Sequence, residues 1–450
     1  MPTSAAPVSP SDASNTPAPP ARRSRQRSAP RGRGLLAPLR HAAPALAGFA
    51  LVRLTGLLVV ANWADGEGED LWALLATGWD AEWYLGIAEH GYDSEVRAGD
   101  RHSNLAFFPL HPAVLSAVGR LLPCSPATAG LVAAVAASVA AAWGVFAVGD
   151  TLHGRRTGTV LAVLWGATPV SVVQWMGYTE SLFTALAAWS LHGVLTGRWV
   201  RAGALAALAG LTRPTGIAVA AAVTVAAAAA LWRAHRAKRP ESGRAGTEHT
   251  GRTGDPSGRA GTGRLRTARP GTAREGTAAA VRPGTRAVLA GGLLAPLGWL
   301  GYVGWVGLRL GQWDGYFAVQ RDWSNEWDGG ARTLEILGHN LTQLDRPFLF
   351  LAVVSGTLLL SLLVFLLCLA DRQPLALLVF TGALLVIVLG SAGVYSPRAR
   401  FLLPAFPLLL PAAVAVSRAR PAAALLVLAG ATAASAYIGG HMLLLYPGAP

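Results

Sequence analysis

The segment WDAEWYLGIAEHGYD, from Trp79 to Asp93, holds groups that could do acid–base chemistry. It carries four carboxylates, a histidine and four aromatic side chains, and it lies between long apolar runs. A partly desolvated aspartate at the membrane surface can take a proton from a hydroxyl group, so Asp80 is a candidate general base. The alternative is that Asp80 only caps the helix that follows, a common use of aspartate.

The same segment has the spacing of an amphipathic helix. Trp79, Trp83 and Ile87 recur at every fourth position, which predicts a helix lying along the membrane interface. Glu82, on another face, and His90, near the end, are candidate substrate ligands. His90 also suits the negative end of the helix dipole, so a purely structural role for it stays open.

A second polar group occurs in YTES, where an apolar run begins. Thr179 fits the N-cap position of a helix, and Glu180 is favoured in the first turn. Glu180 is also placed to hydrogen-bond a ligand hydroxyl at the mouth of a cavity. We therefore include Tyr178 and Glu180 among the candidate substrate-binding residues.

Three arginines lie next to apolar runs, Arg213 in LTRPTG and Arg398 and Arg400 in YSPRARF. Guanidinium groups stay charged at every physiological pH and bind phosphate through two hydrogen bonds. These arginines fall on the face opposite the basic loops described below, where snorkelling is a weaker explanation. We expect them to bind a lipid phosphate headgroup.

The segment from Gln312 to Gly330 interleaves aromatic and acidic residues. Aromatic rings at a membrane interface often serve only as anchors. The functional interpretation is that Trp313 stacks on a saccharide while Asp314 bonds its hydroxyls. Both residues are therefore candidate substrate ligands.

The elements that position these residues are apolar helices. The chain has 450 residues, of which 52% are hydrophobic and 14% charged, with a mean hydropathy of +0.40. A spanning helix needs about 20 apolar residues. Eleven runs approach that length, which predicts an all-α polytopic membrane protein: 42–63, 127–149, 158–174, 181–196, 199–212, 215–232, 287–309, 347–370, 374–392, 400–417 and 421–446.

The net charge of +14 comes from two polar tracts. Residues 1–40 hold seven arginines against one acid, and residues 233–286 hold thirteen Lys and Arg against four acids. Both tracts are rich in Gly, Pro, Ser and Thr, which predicts disorder. They delimit a tail (1–41), a transmembrane half (42–232), a loop (233–286) and a second half (287–450). No fold or aromatic platform accompanies the arginines, so we expect no nucleic-acid partner.

Charge also predicts the topology. With the N-terminus inside and the first apolar helix retained as a signal anchor, five basic loops in succession face the cytoplasm, as the positive-inside rule requires. This topology requires the proline-rich segment from Phe107 to Pro123 to be interfacial or re-entrant, because an additional span would move every later loop to the other side of the membrane. External loops then cover 64–126 and 310–346, and all the candidate residues converge on the external face.

The sequence suggests no metal site. Cys124 and Cys368 are far apart, and no His, Cys or carboxylate pair has the spacing of a zinc site. No compact carboxylate cluster is evident, so a divalent cation is not demanded, although Asp80 with Glu82 leaves that point open.

Five stretches, in this order, resemble the GPI mannosyltransferase II family and its bacterial relatives: WDAEWYLGIAEHGYD, NLAFFPLHP, YTESLF, LTRPTG and PRARFLLPAFPL. These are multi-spanning glycosyltransferases of the GT-C class, which use a polyprenyl-phosphate sugar. The resemblance runs over roughly residues 42–446. Its most specific part is WDAE followed by AFFP. The family has His-Phe where this chain has Trp83-Tyr84, which bears on acceptor recognition.

The resemblance implies a GT-C-like bundle in which Asp80 is the base. It also implies that mannose passes, with inversion, from a polyprenyl-phosphate carrier to an extracytoplasmic glycan, glycolipid or protein. Arg213 with Arg398 or Arg400 would then stabilise the leaving phosphate. The arginine-dominated composition, with a single lysine, indicates a high-GC bacterium. We therefore expect a bacterial plasma-membrane protein with its active site on the external face.

Two other classes of function share the predicted helices. A transporter or flippase of lipid-linked precursors usually carries polar residues near the bilayer midplane and shows inverted repeats. Here the charges concentrate in external loops and no repeat is visible. The second class is a non-enzymatic scaffold for envelope assembly. A scaffold does not require acidic residues and arginines to lie together on one face, so the predicted convergence disfavours it.

Overall fold

A computed structural model describes residues 36–98, 100–237, 284–342 and 349–448. The chain divides into a short unit, residues 1–41, and a unit of residues 42–450. Most of the two predicted disordered tracts, 1–41 and 233–286, lies outside the described residues. At their edges the structure is helical, because the first helix begins at Leu36 and another continues to Arg236.

The described residues are almost entirely helical. The helices are α1 (Leu36–Glu67), α2 (Leu71–Ala76), α3 (Asp80–His90), α4 (Leu110–Leu121), α5 (Pro126–His153), α6 (Arg155–Gly166), α7 (Glu180–Leu195), α8 (Trp199–Gly210), α9 (Gly216–Arg236), α10 (Thr285–Leu294), α11 (Leu297–Leu310), α12 (Gly315–Asp322), α13 (Ala331–Thr342), α14 (Leu349–Ala370), α15 (Leu375–Gly390), α16 (Arg398–Phe401), α17 (Leu410–Arg418) and α18 (Pro421–Gly440). Short 3-10 helices cover Asn104–Ala106, Ser171–Trp175 and Phe406–Leu409, and a π-helical turn covers His441–Leu445. Two antiparallel strands, β1 (Arg97–Ala98) and β2 (Arg101–His102), form a small hairpin.

The prediction of an all-α polytopic membrane protein is confirmed. Within the described ranges, six helical segments are long and apolar enough to cross a membrane: Ala37–Glu67, Pro126–His153, Gly216–Arg236, Thr285–Leu310, Leu349–Ala370 and Pro421–Leu445. The other five predicted runs are also helical, but their helices are shorter than a spanning length.

Three of the shorter helices have a terminus at or near a candidate residue. Helix α7 has 16 residues and begins at Glu180, α8 has 12 residues and ends shortly before Arg213, and α15 has 16 residues and ends shortly before Arg398. A spanning helix needs about 20 residues. The backbone is therefore non-helical beside these polar side chains. Membrane proteins tolerate such irregular backbone where it is buried in protein.

Close backbone contacts hold the two halves of the bundle together. Residues 203 and 298 are glycines, and a Cβ atom on Gly203 would lie 2.2 Å from the carbonyl oxygen of Gly291. A Cβ on Gly298 would lie 1.8 Å from the carbonyl oxygen of Ala207. Helix α8 thus packs directly on α10 and α11, as small residues allow in membrane proteins.

The predicted external loop 64–126 folds into short helices. Helix α3 covers most of the predicted amphipathic segment. Helix α4 has 12 residues, a length of about 18 Å, which is too short to cross a hydrocarbon core of about 30 Å. The segment from Phe107 to Pro123 is therefore not a spanning helix, as the charge pattern predicted.

Backbone hydrogen bonds join the loops that were predicted to converge. The amide of Leu110 donates to Leu211 at 2.9 Å, and the amide of Gly177 donates to Leu75 at 2.9 Å. The amide of Asp328 donates to Gly390 at 3.1 Å. The loops before α7, after α8 and after α15 thus lie against the segments that follow α1 and α11, and their polar side chains share one end of the bundle.

Candidate functional site

Asp80 is the first residue of α3, and it does not cap the helix. The N-cap position belongs to Trp79, whose backbone is left-handed with φ of 49° and whose side chain makes no capping hydrogen bond. Such a conformation is strained for a bulky residue and often occurs at functional sites. The Oδ2 atom of Asp80 accepts a hydrogen bond from Nη2 of Arg400 at 2.5 Å. Within the described residues, the Oδ1 atom has no hydrogen-bond partner.

Arg400 lies at the centre of the candidate site. Its side chain is 3% exposed, and its guanidinium lies over the rings of Tyr178 and Phe401, at 4.7 and 5.2 Å from their centroids. Its Nε atom is 3.7 Å from Oε1 of Glu180. The short helix α16 therefore holds one guanidinium between an aspartate, a glutamate and two aromatic rings.

Glu180 and Arg213 complete the cluster. Oε1 of Glu180 lies 3.1 Å from Nη1 of Arg213, and both side chains are buried. The Arg213 guanidinium also faces the rings of Phe183 and Phe401, at 5.8 and 5.0 Å. Thr179 occupies the N-cap position of α7, as predicted, but its side chain makes no capping bond, and its hydroxyl lies 3.4 Å from that of Tyr84.

We call these four residues the arginine cluster: Asp80, Glu180, Arg213 and Arg400. Its two positive and two negative charges cancel, but several of its polar atoms make no hydrogen bond in the described part of the chain. Within the described residues, Nε and Nη1 of both arginines and both carboxylate oxygens of Glu180 lack a well-aligned partner, as does the Tyr178 hydroxyl. Buried polar groups in proteins are nearly always satisfied. The arrangement is thus suited to a polar or anionic ligand that takes up the arginine donors.

Two residues that support the cluster, His111 and Tyr84, were not predicted from the sequence. The His111 ring, fully buried, packs edge-on against Tyr84, and its Nε2 atom lies 3.2 Å from the carbonyl oxygen of Gly177. Burial lowers the pKa of His111 to about 4, so this ring is neutral at physiological pH. Burial also raises the pKa of the Tyr84 phenol. His111 and Tyr84 together hold the loop that carries Tyr178 and Glu180.

Arg398 is buried like Arg400 but does not join the cluster. Its guanidinium donates to the hydroxyl of Thr333 and to the carbonyl oxygens of Ser391 and Gly393, the last at 3.1 Å. Backbone and hydroxyl oxygens therefore occupy its donors. The expectation that it binds a lipid phosphate beside Arg213 is not met, because its side chain anchors the loop before α16 instead.

Glu82 and His90 also lie apart from the arginine cluster. They are exposed on the outer face of α3, where they line a cavity of about 380 Å³ with Trp83, Asp93 and Arg101. His90 occupies the last turn of the helix, consistent with the dipole argument. The sequence thus predicted one polar site, whereas α3 separates two polar surfaces.

Trp313 and Asp314 are not brought to either surface. The Trp313 side chain is 93% exposed, and Asp314 forms an ion pair with Arg321 at 2.9 Å. The aromatic residue of this loop that does pack inward is Trp323. It lies edge-on to Trp83 at 5.0 Å and donates from Nε1 to Ser103.

An ion pair reinforces this contact between loops. Asp322 accepts from His102 at 2.7 Å and from Arg97 at 3.0 Å, and these bonds, that of His102 first, lower the pKa of its carboxyl group.

In the described part of the chain, no group of three or more His, Cys, Asp or Glu side chains is placed to hold a metal ion.

Comparison with known proteins gives partial structural similarity. No family model matches the sequence, and no curated protein matches it. One solved structure is ArnT from Cupriavidus metallidurans bound to undecaprenyl phosphate, at 15% identity, with 85% of this chain and 63% of that chain covered and a TM-score of 0.47. Another is the archaeal oligosaccharyltransferase AglB from Archaeoglobus fulgidus in complex with an inhibitory peptide and a dolichol-phosphate. It has 12% identity, 93% and 57% coverage and a TM-score of 0.45. The chain therefore spans less than two thirds of either protein's length.

Proposed function

We propose that this protein is a membrane glycosyltransferase that transfers a sugar from a polyprenyl-phosphate carrier to a hydroxyl acceptor. One observation supports this above all others. Arg400 is buried, and within the described residues two of its nitrogen donors make no hydrogen bond. Its third donates to Oδ2 of Asp80, whose Oδ1 atom makes no hydrogen bond in the same part of the chain. A group that binds phosphate and a group that accepts a proton therefore lie side by side.

The arginine cluster suits a phosphate at a water-poor site. Two guanidinium groups face the same carboxylate. Within the described residues, Nε of Arg213 and Nη1 of Arg400 have neither a hydrogen bond nor an ion pair, so they can bond phosphate oxygens. Electrostatic stabilisation is strongest where fixed donors meet developing charge away from water. Arg213 and Arg400 would thus stabilise the phosphate as it departs, so no general acid is essential.

The proposed reaction is a direct displacement. The acceptor hydroxyl gives its proton to Oδ1 of Asp80 as its oxygen bonds to the anomeric carbon of the sugar. The bond between that carbon and the phosphate oxygen breaks, and polyprenyl phosphate leaves with the electron pair. This course inverts the anomeric centre, so a β-linked donor gives an α-linked product.

The finer assignments rest on the sequence resemblance and on the charge pattern. Mannose as the sugar comes from the resemblance of the five motifs. An active site on the external face of a bacterial plasma membrane comes from the five basic loops and the arginine-rich composition. The acceptor is an extracytoplasmic glycan, glycolipid or protein. The lipid part of the donor would lie among the apolar helices, and a divalent cation is not required.

A transporter or flippase is the alternative. The polar cluster lies where helices begin and end rather than along one helix, an arrangement that suits a reaction at the membrane surface. A net movement of lipid-linked precursor without transfer would favour the transporter instead.

The test is transfer of radiolabelled mannose from synthetic polyprenyl-phosphate mannose into acceptor-containing membranes by purified protein. We expect wild-type transfer and a loss of at least about 10²-fold in Asp80→Asn, because general bases contribute about 10²–10⁴-fold. A thermal melt checks that the variant folds.

The matched control is Glu89→Gln, which removes an exposed carboxylate from the same helix, away from the cluster. It should transfer as wild type does. Equal activity in folded Asp80→Asn would reduce Asp80 to a structural residue. No transfer by any variant would point to another sugar donor or to a transporter.

A further inference from the structure

The outer face of α3 borders a cavity that the proposed chemistry does not use. Its volume of about 380 Å³ is within the range of small-molecule sites. Glu82, Gly86 and His90, spaced by four residues, line one wall, and Asp93 and Arg101 line the other. Asp80 and Tyr84 lie on the opposite face of the helix, against Arg400 and Thr179. Helix α3 therefore forms a wall between the arginine cluster and this cavity.

The first wall presents unused polar groups. Glu82 and His90 are exposed, and neither side chain has a hydrogen bond or ion pair within the described residues. They are eight residues apart, so about 12 Å of helix separates them. Between them stands Gly86, around which a Cβ atom would meet no protein atom within 4 Å. Glycine costs a helix about 1 kcal/mol relative to alanine, and here no protein contact requires it.

The second wall is held rigidly. The carboxylate of Asp93 accepts from the backbone amide of Asn104 at 2.8 Å, and the backbone amide of Asp93 donates to the side-chain oxygen of Asn104 at 2.9 Å. Asp93 also pairs with Arg101 at 3.3 Å, and the Arg101 guanidinium lies 5.4 Å from the ring centroid of Trp83. Asp93 and Arg101 thus lie in a fixed arrangement beside the Trp83 indole, which stacks on Phe107 at 5.4 Å.

We infer that this cavity binds a saccharide, which forms part of the acceptor. Sugar hydroxyls both donate and accept, so they match carboxylates, an imidazole and a guanidinium, while their C–H surface packs against the aromatic side chains that line the cavity, Trp83 and Tyr92. Two turns of helix with a glycine between leave room for an extended chain of sugar rings. The inference rests on the proposed function, since only a transferase needs an acceptor site beside its donor site.

The test uses Gly86→Leu, whose side chain enters the cavity because nothing in the protein obstructs it. The matched control is Gly338→Leu, on the exposed surface of α13, where a Cβ atom likewise meets no protein atom. Saturation-transfer NMR is measured on the detergent-solubilised protein with methyl glycosides of mannose, glucose and galactose and with their disaccharides. Hydrolysis of polyprenyl-phosphate mannose by water, without acceptor, is measured in parallel.

We expect wild type and Gly338→Leu to bind at least one of these glycosides and Gly86→Leu to bind it at least about 10-fold more weakly. Glu82→Gln should weaken binding by a smaller factor. Donor hydrolysis should be unchanged in Gly86→Leu and Gly338→Leu, because the arginine cluster is intact. Failure of wild type to bind any glycoside, or equal binding by Gly86→Leu, overturns the inference. Absence of donor hydrolysis and transfer in wild type overturns the proposed function instead.

Discussion

Arg398 and Arg400 are two residues apart on one short helix, equally buried, yet they occupy different environments. Arg398 donates to a hydroxyl and to two carbonyl oxygens, which are neutral and part of the fold. Arg400 faces two carboxylates and two aromatic rings, and within the described residues two of its nitrogen donors make no hydrogen bond. Burial of a charge alone therefore does not identify a functional residue. The number of its hydrogen-bond donors that the protein itself does not satisfy distinguishes the two arginines better.

The largest effect is expected when the charge balance around Arg400 is broken. Glu180→Gln leaves buried Arg213 without its carboxylate partner and Arg400 with Asp80 alone, and breaking a buried ion pair costs about 3–5 kcal/mol. Thermal melts should show this loss. The double variant Glu180→Gln/Arg213→Gln restores neutrality and should recover about 1–3 kcal/mol of it. Combining Glu180→Gln with Arg398→Gln should give additive losses, and coupling there would contradict the separation of the two arginines.

Conservative substitution of each arginine tests the same contrast in activity. Arg400→Lys keeps the charge but loses the planar fork, so transfer should fall by at least about 10²-fold. Arg398→Lys should lower the melting temperature, because several charge-assisted hydrogen bonds are lost, while transfer per folded molecule stays within about threefold. A large loss of transfer in folded Arg398→Lys would return that residue to the site.

The region around the cluster also excludes additional charge. His111 stays neutral down to a pKa of about 4, against 6.5 for the unfolded chain, so lowering the pH favours unfolding in this window. This residue should cost the folded state about 2 kcal/mol at pH 5 relative to pH 7. His111→Gln, whose amide can still donate to Gly177, should remove that loss in pH-dependent melts. Identical pH profiles in both proteins would contradict the buried environment assigned to His111.

The smallest effect is expected at Trp313. Its side chain is almost fully exposed, so Trp313→Ala should leave transfer and the melting temperature unchanged. Trp323→Ala is the comparison, because that indole contacts Trp83 and Ser103 and its loss should lower the melting temperature by several degrees. A loss of transfer in Trp313→Ala would restore the predicted stacking role.

The sequence predicted the convergence of the polar loops because charge asymmetry and apolar length are properties of single segments. Because alternate loops are basic, the remaining loops, which carry Asp80, Glu180, Arg213 and Arg400, were predicted to lie on one face of the membrane. The charge pattern could not separate Arg398 from Arg400, because they share one motif, and only the tertiary contacts of their guanidinium groups differ. For the same reason it did not show that α3 divides Glu82 from Asp80.

The supporting residues were missed for another physical reason. His111 stands in a proline-rich segment whose apolar pattern indicated only an interfacial helix, and its partner is the backbone of Gly177. A backbone partner leaves no pattern of residue types in the sequence. Tyr84 gave a weak signal, as the position where the chain departs from the family it resembles.

The ion pair between Asp80 and Arg400 joins residues 320 positions apart, while Glu180 and Arg213 lie on neighbouring segments of the first half. During synthesis the first half reaches the membrane with three members of the cluster, and the fourth follows only with the second half. Under the proposed function, a partly made chain cannot yet hold a donor phosphate between both arginines. The capacity to act on a lipid-linked sugar would then arise only late in biogenesis, when the second half has been inserted and docked.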